Sequence, residues 1–312
     1  MSFSPSRRVT WLGYGACALA GCLWGTGFYL GKLALREMSV GHMVLYRFLF
    51  ASLGMAPVLF AHWRRPGPRW TRREATILLA SAALGIPLQF LLQFAGLART
   101  TVSHASLMVG TMPVLLALAA TLFTGERLDW IGWVALASST VGAALIVLGG
   151  SPGSATGSHP TLTGDLMVVV SLAIALGWVL ANKQLMQVHS PLAVTAYGIL
   201  SGTAMLILWV NATEGPPPVA HVSATAWAAL AASGILCTAT TTLVWNWGIH
   251  HVPASRAGVF LNIEPALGSW LGVQLLGDRL GPNAWLGGTL ILAAAITLTV
   301  RGHEPDPEVI LD

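Results

Sequence analysis

Glu264 is an acidic residue that lies well inside an apolar segment, and Pro265 follows it directly. Near the centre of a membrane-spanning helix a carboxylate is costly and is usually functional. The proline removes a backbone donor, so the helix could open there and expose carbonyl groups to a cavity. A single protonatable group at this depth could couple proton movement to the movement of a solute. The alternative is a protonated side chain that bonds to a neighbouring helix and has only a structural role.

Polar and aromatic residues at similar depth in other apolar segments form a second group of candidates. Some of them are four residues apart, which puts them on one face of a helix. Tryptophan walls with a few amides suit an amphipathic or aromatic solute better than a sugar or a phosphate. For each residue the alternative is ordinary packing between helices. The predicted cavity residues are Trp24, Thr26, Gln89, Gln93, Met108, Thr111, Trp178, Asn182, Trp245, Asn246 and Asn262.

Other charged residues within or next to the apolar segments are assigned mainly structural roles. Arg47 lies nearer the outer end of its segment, where it could snorkel, pair with Glu37 or another outer acid, or hold the carboxylate of a substrate. Glu126 and Asp278 each follow a glycine. Both are expected to open a helix, where a carboxylate stabilises the positive end of the dipole.

Composition identifies lipid as the main solvent of the chain. Of its 312 residues, 54% are hydrophobic and only 9% are charged, with a mean hydropathy of +0.69. A soluble protein carries about a quarter charged residues. The net charge of +4 comes from clustered basic residues, which indicates membrane orientation and not nucleic-acid binding. The sequence contains no metal-ligand spacing, nucleotide-binding motif or catalytic constellation, so no metal site, cofactor or catalytic residue is predicted.

Apolar segments of about 20 residues recur along the chain, and this is the length that a helix needs to cross a bilayer. Polar connections rich in Gly and Pro separate them, and the connection at 150–161 divides the chain in half. The sequence therefore predicts an all-α integral membrane protein with about ten transmembrane helices. The predicted spans are 11–31, 41–61, 75–97, 103–123, 128–149, 162–187, 190–212, 224–250, 254–276 and 282–300.

The two halves of the chain repeat each other with an offset of 152 residues. Without a gap, residues 96–128 fall on residues 248–280 with more identities than chance matching would give. Five helices per half is an odd number, so the second half starts from the opposite face and the repeats are inverted, as in many secondary transporters. The predicted divisions are a tail 1–10, a five-helix repeat 11–149, a linker 150–161, a second five-helix repeat 162–300 and a tail 301–312.

Lysine and arginine indicate the orientation of the chain. If the N-terminus is inside, the inner side receives most of these residues, including the cluster at 64–73, and the outer side receives only a few. Because cytoplasmic connections are enriched in basic residues, both termini are predicted to lie in the cytoplasm. The membrane is predicted to be a plasma membrane, the bacterial inner membrane.

Short motifs occur in a fixed order along residues 10 to 300, and one of them is doubled. They are Leu23-Trp24-Gly25, Tyr46-Arg47-Phe48, Gly125-Glu126-Arg127-Leu128, Ile263-Glu264-Pro265 and Gly277-Asp278-Arg279-Leu280. In these motifs the chain resembles the drug/metabolite transporter superfamily, specifically its ten-helix EamA-type exporters. The resemblance implies export of small metabolites, amino acids in several members, without an ATP-binding domain. It also implies that helices 1, 3, 4, 6, 8 and 9 line a central cavity.

The sequence as a whole predicts a secondary transporter, an exporter of small amphipathic metabolites such as amino acids, that works by alternating access. Pro113 and Pro265 are the predicted flexible points. The predicted partners are a small-molecule substrate, the lipid bilayer and, through Glu264, protons. The alternative is uptake or facilitative permeation of a small metabolite or a drug-like cation, and a membrane-embedded enzyme is less favoured. Small residues such as Gly142 and Gly287 permit close packing of the fifth and tenth helices, either against each other or in a homodimer.

The inverted arrangement predicts that the linker and the C-terminal tail lie on opposite sides of the membrane. An epitope inserted at residue 150 should be accessible from outside intact cells, and an epitope in the tail 301–312 only after permeabilisation. An epitope in the tail 1–10 is the matched control and should behave like the C-terminal one. Accessibility of the residue-150 and C-terminal epitopes from the same side would contradict the inverted repeats.

Overall fold

The computed structural model describes residues 7–64, 68–119, 129–148, 153–155, 159–216, 221–252 and 258–301. Five of the described helices are long and apolar enough to cross a membrane, and two shorter apolar helices accompany them. The prediction of an all-α integral membrane fold is confirmed at this level. The number of crossings and the division into repeats stay predictions, and Glu126 lies outside the described residues.

Helices fill the described parts of the apolar segments in the first half of the chain. A π-helical turn, Leu84–Leu88, joins two of them into one continuous rod. The helices are α1 (Arg7–Ala34), α2 (Val40–Gly54), α3 (Ala56–Arg64), α4 (Arg72–Ala83), α5 (Gln89–Ala98), α6 (Val102–Val109), α7 (Met112–Ala119) and α8 (Trp130–Leu148).

The described parts of the second half are also mostly helical, with a π-helical turn at Ile235–Thr240 and a 3-10 turn at Gly258–Asn262. Two short strands, β1 (Gly153–Ser154) and β2 (Asp278–Arg279), pair in antiparallel orientation. The helices are α9 (Leu162–Leu185), α10 (Pro191–Thr213), α11 (Ala224–Gly234), α12 (Thr241–His251), α13 (Ile263–Leu276) and α14 (Pro282–Arg301).

Serine and threonine residues start helices in both halves by accepting a hydrogen bond from a backbone N–H of the first turn. At the start of α4 the Thr71 hydroxyl accepts from the Glu74 backbone at 3.2 Å, and the Glu74 carboxylate accepts from the Thr71 backbone at 2.8 Å. Such caps satisfy amides that have no partner within the helix, so the helix begins where the polar connection ends. The same type of cap occurs at Ser39, Thr101, Thr161, Ser190 and Ser223.

The two π-helical turns widen their helices in different ways. The turn Leu84–Leu88 contains Pro87, which has no N–H to leave unpaired. The turn Ile235–Thr240 has no proline, and there the hydroxyls of Thr238 and Thr241 donate to carbonyl oxygens five residues earlier, at 3.1 and 2.6 Å. Hydropathy predicts the length of a span but not its hydrogen-bond pattern, so neither turn was expected from the sequence.

The fourth and ninth predicted spans are interrupted just before their prolines. The helix α6 ends at Val109, and α7 begins one residue before Pro113. The helix α13 begins two residues before Pro265 and follows the 3-10 turn Gly258–Asn262. Proline fits the first turn of a helix, where its missing N–H has no partner to lose. Each of these spans therefore consists of two pieces and not of one helix with a central proline.

Small residues bring α8 and α14 into backbone contact. A Cβ atom on Gly142 would lie 2.6 Å from the carbonyl oxygen of Gly287, and a Cβ atom on Gly287 would lie 2.4 Å from the carbonyl oxygen of Gly142. Only glycine permits so close an approach, and dispersion contacts between the two helices stabilise it. Of the two alternatives that the sequence left open, packing of these helices against each other is the one observed. A homodimer stays a prediction.

Gly142→Ala should destabilise the protein, because the new methyl group meets backbone that cannot move aside. We expect the free energy of unfolding to fall by about 1–3 kcal/mol, followed as a lower melting temperature of the purified chain in detergent. Gly198→Ala is the matched control, since an added Cβ atom there would meet nothing within 4 Å. That variant should be neutral or slightly stabilising. Equal losses in both variants would contradict the close packing of α8 and α14.

Candidate functional site

A cavity of about 360 Å³ lies between the helices, and both halves of the chain contribute to its wall. Most of the lining is apolar or aromatic, with a few polar and charged groups, which is the usual composition of a small-molecule site. The lining residues are Trp24, Gly27, Phe28, Arg47, Phe48, Ile86, Gln89, Phe90, Gln93, Phe94, Val109, Met112, Leu172, Ala175, Trp178, Val179, Thr195, Ile199, Cys237, Thr238, Thr242, Leu261 and Glu264.

Several residues that the sequence analysis selected line this cavity together. Gln89 and Gln93 lie one turn apart on α5, Trp24 and Trp178 come from α1 and α9, and Glu264 comes from α13. The fold thus gathers side chains from segments that are far apart in the sequence. Their role in binding stays a prediction.

Three other selected residues lie behind the cavity wall. The hydroxyl oxygen of Thr26 is 3.1 Å from the sulfur of Cys237, which lines the cavity. The side-chain oxygen of Asn182 accepts a hydrogen bond at 3.1 Å from a serine hydroxyl of α4. Trp245 packs against Trp24 with ring centroids 5.4 Å apart. These groups hold the lining elements in position and do not themselves line the cavity.

The remaining selected residues are also outside the lining. Met108 is fully buried in the apolar core, and its carbonyl oxygen accepts a hydrogen bond from the Thr111 hydroxyl at 2.7 Å. Asn262 is buried at the end of the 3-10 turn that precedes α13, and Asn246 is half-buried on α12. Pro265 is buried in the first turn of α13, directly after Glu264.

Arg47 is a cationic residue of the lining. Only 6% of this residue is exposed, and its guanidinium lies 5.3 and 5.2 Å from the ring centroids of Phe90 and Phe94. One guanidinium nitrogen donates to the hydroxyl of Thr238 at 3.3 Å. The expectations that Arg47 snorkels or pairs with Glu37 are wrong, because the side chain is buried among the helices and Glu37 has another partner.

Glu37 binds the connection before α11. Its carboxylate accepts hydrogen bonds from the hydroxyl of Ser223 at 2.7 Å and from the backbone N–H of the same residue at 2.6 Å. These hydrogen bonds favour the charged form and hold the pKa of Glu37 below its ordinary value. The contact joins the turn after α1 to the start of α11.

Glu264 is half-buried at the cavity, in the first turn of α13. Among the residues that the structure describes, none forms a hydrogen bond with its carboxyl group. The carboxyl group is therefore open to a proton or a ligand from the cavity, and the bond to a neighbouring helix that the structural alternative requires is not found in the described ranges.

Phenylalanine rings form much of the lining, and the sequence analysis did not select them. Phe48 and Phe90 meet edge to face with centroids 4.8 Å apart, and Phe28 lies 6.2 Å from Phe94. The sequence contained a signal for two of them. Phe90 follows Gln89 and Phe94 follows Gln93, so the two phenylalanines are also four residues apart on α5. An apolar ring in an apolar span carries no other mark, so the sequence could not separate cavity rings from lipid-facing ones.

Buried polar contacts close the end of the bundle at which α1 finishes. Lys32 is 8% exposed and donates to the carbonyl oxygens of Leu97 at 2.6 Å and Thr100 at 2.7 Å, near the end of α5. Asp165, in the first turn of α9, accepts from the Thr100 hydroxyl and lies 3.2 Å from Nδ1 of His104. This cluster could not be predicted from the sequence, because its members come from separate segments. We call it the polar end of the bundle.

Asp278 in β2 belongs to the polar end as well. Its carboxylate accepts a hydrogen bond from the backbone N–H of Ser103 at 2.9 Å and so stabilises the start of α6. Burial raises the pKa of Asp278, although the hydrogen bonding to Ser103 and the charge of Lys32 oppose that shift. The expectation that this residue opens the helix that follows it is wrong, since α14 begins only at Pro282.

No three His, Cys, Asp or Glu side chains come together to form a metal site in the part of the chain that the structure describes. The ring of His251 lies 2.8 Å from the backbone carbonyl oxygen of Trp247 in its own helix. The cysteines Cys17, Cys22 and Cys237 are all free thiols. The polar and charged residues that line the cavity are Arg47, Gln89, Gln93, Thr195, Cys237, Thr238, Thr242 and Glu264.

A bundle of apolar helices around a central cavity of this composition defines a membrane protein of the transporter class. The EamA-like transporter family model matches the chain twice, over residues 11–148 and over residues 162–300. The chain belongs to the EamA-like transporter family, and the resemblance to the drug/metabolite transporters is confirmed.

Curated relatives and a solved structure agree with this family. The chain is 28% identical over 290 residues to an "Uncharacterized transporter" of Archaeoglobus fulgidus, covering 92% of this chain and 97% of that one. It is 25% identical over 295 residues to a "Probable terminal-alkyne amino-acid exporter" of Streptantibioticus cattleyicolor, covering 92% and 93%. A crystal structure with 19% identity and a TM-score of 0.61 covers 94% of this chain and 98% of its own, and it shares the fold.

Gly85→Ala should alter the cavity, because a Cβ atom at this position would lie 2.3 Å from Cγ of Trp178, whose rigid ring must move. We expect a shift of preference towards smaller substrates, by about tenfold in relative transport rate, which corresponds to about 1.4 kcal/mol. The measurement is flux of a size-graded substrate panel in proteoliposomes. Gly177→Ala is the matched control, since its nearest neighbour would be 3.9 Å away. An unchanged preference in the Gly85 variant would remove Trp178 from the site.

Proposed function

We propose that this chain is a secondary transporter that exports small amphipathic metabolites, such as amino acids, by alternating access around the cavity. The observation that carries the proposal is the cavity itself, which combines Arg47 and Glu264 with aromatic walls in a chain of the EamA-like family. The relative that is named an amino-acid exporter supports the direction and the substrate class. We also propose that the chain lies in the bacterial inner membrane with both termini in the cytoplasm.

Contacts between the halves support an inverted repeat. Glu37 binds Ser223, and the residues equivalent to them at an offset of 152 are His189 and Thr71. His189 lies 3.4 Å from Glu74, the residue that completes the cap of Thr71. The turn that contains Glu37 thus contacts the start of α11, and the equivalent turn that contains His189 contacts the start of α4. Such reciprocal pairing is expected when two equivalent units are related by a two-fold axis.

The cavity wall follows the same relation. Several pairs of lining residues are 152 positions apart, so each pair holds equivalent positions of the two halves. These pairs are Val109 and Leu261, Met112 and Glu264, Ile86 and Thr238, Phe90 and Thr242, Arg47 and Ile199, and Gly27 and Val179. The π-helical turns and the helix breaks before the prolines also recur at this offset. A cavity lined by equivalent residues of two repeats lies on the axis between them, where secondary transporters bind their substrates.

Alternating access requires contacts at each end of the bundle that can open in turn. One end is the polar end, where Thr100 binds Asp165. The residues equivalent to this pair are Val252 and Gly13, and a Cβ atom on Gly13 would lie 2.7 Å from Val252, so the opposite end is closed by apolar packing. Rocking of the two halves would break the contacts at one end of the bundle while the contacts at the other end stay closed. We propose Pro113 and Pro265 as the flexible points, because the helices are already interrupted beside them.

Proton coupling through Glu264 is part of the proposal. A carboxyl group that faces the cavity without a fixed protein partner can change its protonation state when solvent or substrate reaches it. Uptake and facilitative permeation are the competing outcomes of the flux experiment. A homodimer stays a further prediction about assembly.

Glu264→Gln should abolish flux that is driven by a pH gradient while leaving expression and folding intact, because glutamine keeps the size but cannot exchange a proton. The measurement is transport of an amino-acid and amine panel in proteoliposomes of the full chain, with and without the gradient. Glu74→Gln is the matched control, since glutamine can also complete a capping box at that position outside the cavity.

Three outcomes decide the proposal. Proton-coupled export is supported if the wild-type protein moves substrate away from the cytoplasmic side under a pH gradient, and if this flux is lost in Glu264→Gln but not in Glu74→Gln. Flux whose dependence on pH is the same in the Glu264 variant rejects the coupling role. Wild-type flux that only follows the concentration gradient favours a facilitative permease.

A further inference from the structure

The guanidinium of Arg47 has fewer protein partners than a buried cation normally has. It carries five N–H donors, and one of its nitrogens donates a long hydrogen bond of 3.3 Å to the hydroxyl of Thr238. The nitrogen Nε is buried and has no hydrogen-bond partner. Among the residues that the structure describes, no carboxylate lies within 4 Å of this side chain.

Lys32 shows what a satisfied buried cation looks like in the same protein. Its ammonium donates at 2.6 and 2.7 Å to two carbonyl oxygens at the end of a helix. Such fixed acceptors offset the loss of hydration, whereas a buried cation without them is costly. Arg47 has aromatic faces on Phe90 and Phe94 in place of acceptors, which hold the planar group in one orientation but leave its donors available.

Gln89 adds a second underused group in the same wall. It is 6% exposed, lines the cavity, and its side-chain oxygen has no hydrogen-bond partner. The guanidinium can donate to the two oxygens of a carboxylate, and the free amide oxygen of Gln89 can accept from a neighbouring donor group of the same small molecule. The phenylalanine rings around them offer an apolar surface for the rest of that molecule.

We propose that Arg47 binds the carboxylate of the transported molecule, and that the substrate is a carboxylate with an apolar or aromatic body. This inference rests on the proposed transport function and narrows its substrate class. A planar guanidinium binds both oxygens of a carboxylate at once, and in a cavity that excludes water such a charge-assisted pair is strong. A drug-like cation without a carboxylate offers no acceptor to the free donors of Arg47, so the cationic alternative is disfavoured although Glu264 lines the same cavity.

Wild-type protein alone can test the proposal with two isosteric probes. The probes are 3-phenylpropanoate and 3-phenylpropanamide, which differ in charge but hardly in shape. Binding to the purified full chain in detergent is followed by tryptophan fluorescence, since Trp24 and Trp178 line the cavity. We expect the carboxylate to bind at least about tenfold more tightly at neutral pH. Equal or tighter binding of the amide, or no binding of the carboxylate, would overturn the proposal.

Variants then assign the preference to Arg47. Arg47→Gln should remove the preference for the carboxylate, and Arg47→Lys should keep part of it, because the charge remains but the planar fork is lost. Arg99→Gln is the matched control, since that exposed guanidinium donates at 2.9 Å to a carbonyl oxygen of its own helix. If Arg47→Gln does not fold, Thr238→Val serves as the second variant and should weaken carboxylate binding severalfold. An Arg47→Gln protein that folds and keeps the full preference would refute the assignment.

Transport measurements separate this inference from the proposed function. Wild-type flux of an amine lacking a carboxylate, with no effect of Arg47→Gln, would leave the transporter intact and reject the carboxylate anchor. Loss of flux for every probe in the wild type, despite selective carboxylate binding, would keep the binding site and reject transport.

Discussion

Lipid offers no hydrogen-bond partner to a backbone amide or carbonyl, and this constraint determines where the helices of the chain can be interrupted. At the first π-helical turn Pro87 has no N–H to satisfy, and at the second turn threonine hydroxyls bind the carbonyl oxygens. At the two breaks, Pro113 and Pro265 lie in first turns, where an N–H would have no partner. All four interruptions contribute residues to the cavity wall. Interruptions of the α-helical hydrogen-bond pattern would be costly where a helix faces lipid, and here they lie at the cavity wall.

The same constraint distinguishes buried charges that have fixed protein partners from cavity charges that have few. Lys32, Asp165 and Asp278 are buried, and each has fixed protein partners at short distance. Arg47 and Glu264 lie at the cavity, and their protein partners among the described residues are few. Because a buried charge without partners is destabilising, its retention requires either a compensating ligand or a change of protonation. This contrast within one molecule is the physical basis of the roles proposed for Arg47 and Glu264.

The sequence predicted the membrane fold well because hydropathy and helix length report directly on the solvent of each segment. It also selected Glu264, Gln89 and Trp178, since a polar group or a tryptophan is conspicuous in an apolar span. It failed for Phe90, whose type is ordinary in such a span. It assigned Arg47 mainly a structural role because depth along a helix was known but the facing elements were not. Asp278 was misassigned because its partner, Ser103, is distant in the sequence.

Duplication and divergence account for different properties of the site. Equivalent positions of the two halves line the cavity, so a repeated fold supplies its position and its wall. The charges do not repeat, since Ile199 is equivalent to Arg47 and Met112 is equivalent to Glu264, and all four line the cavity. A symmetric pair of arginines or glutamates would put like charges together in a low dielectric, which is strongly unfavourable. With one residue of each sign, and an apolar residue at each equivalent position, the lining avoids that repulsion and is asymmetric in charge, which in the proposed transport cycle would orient a bound molecule.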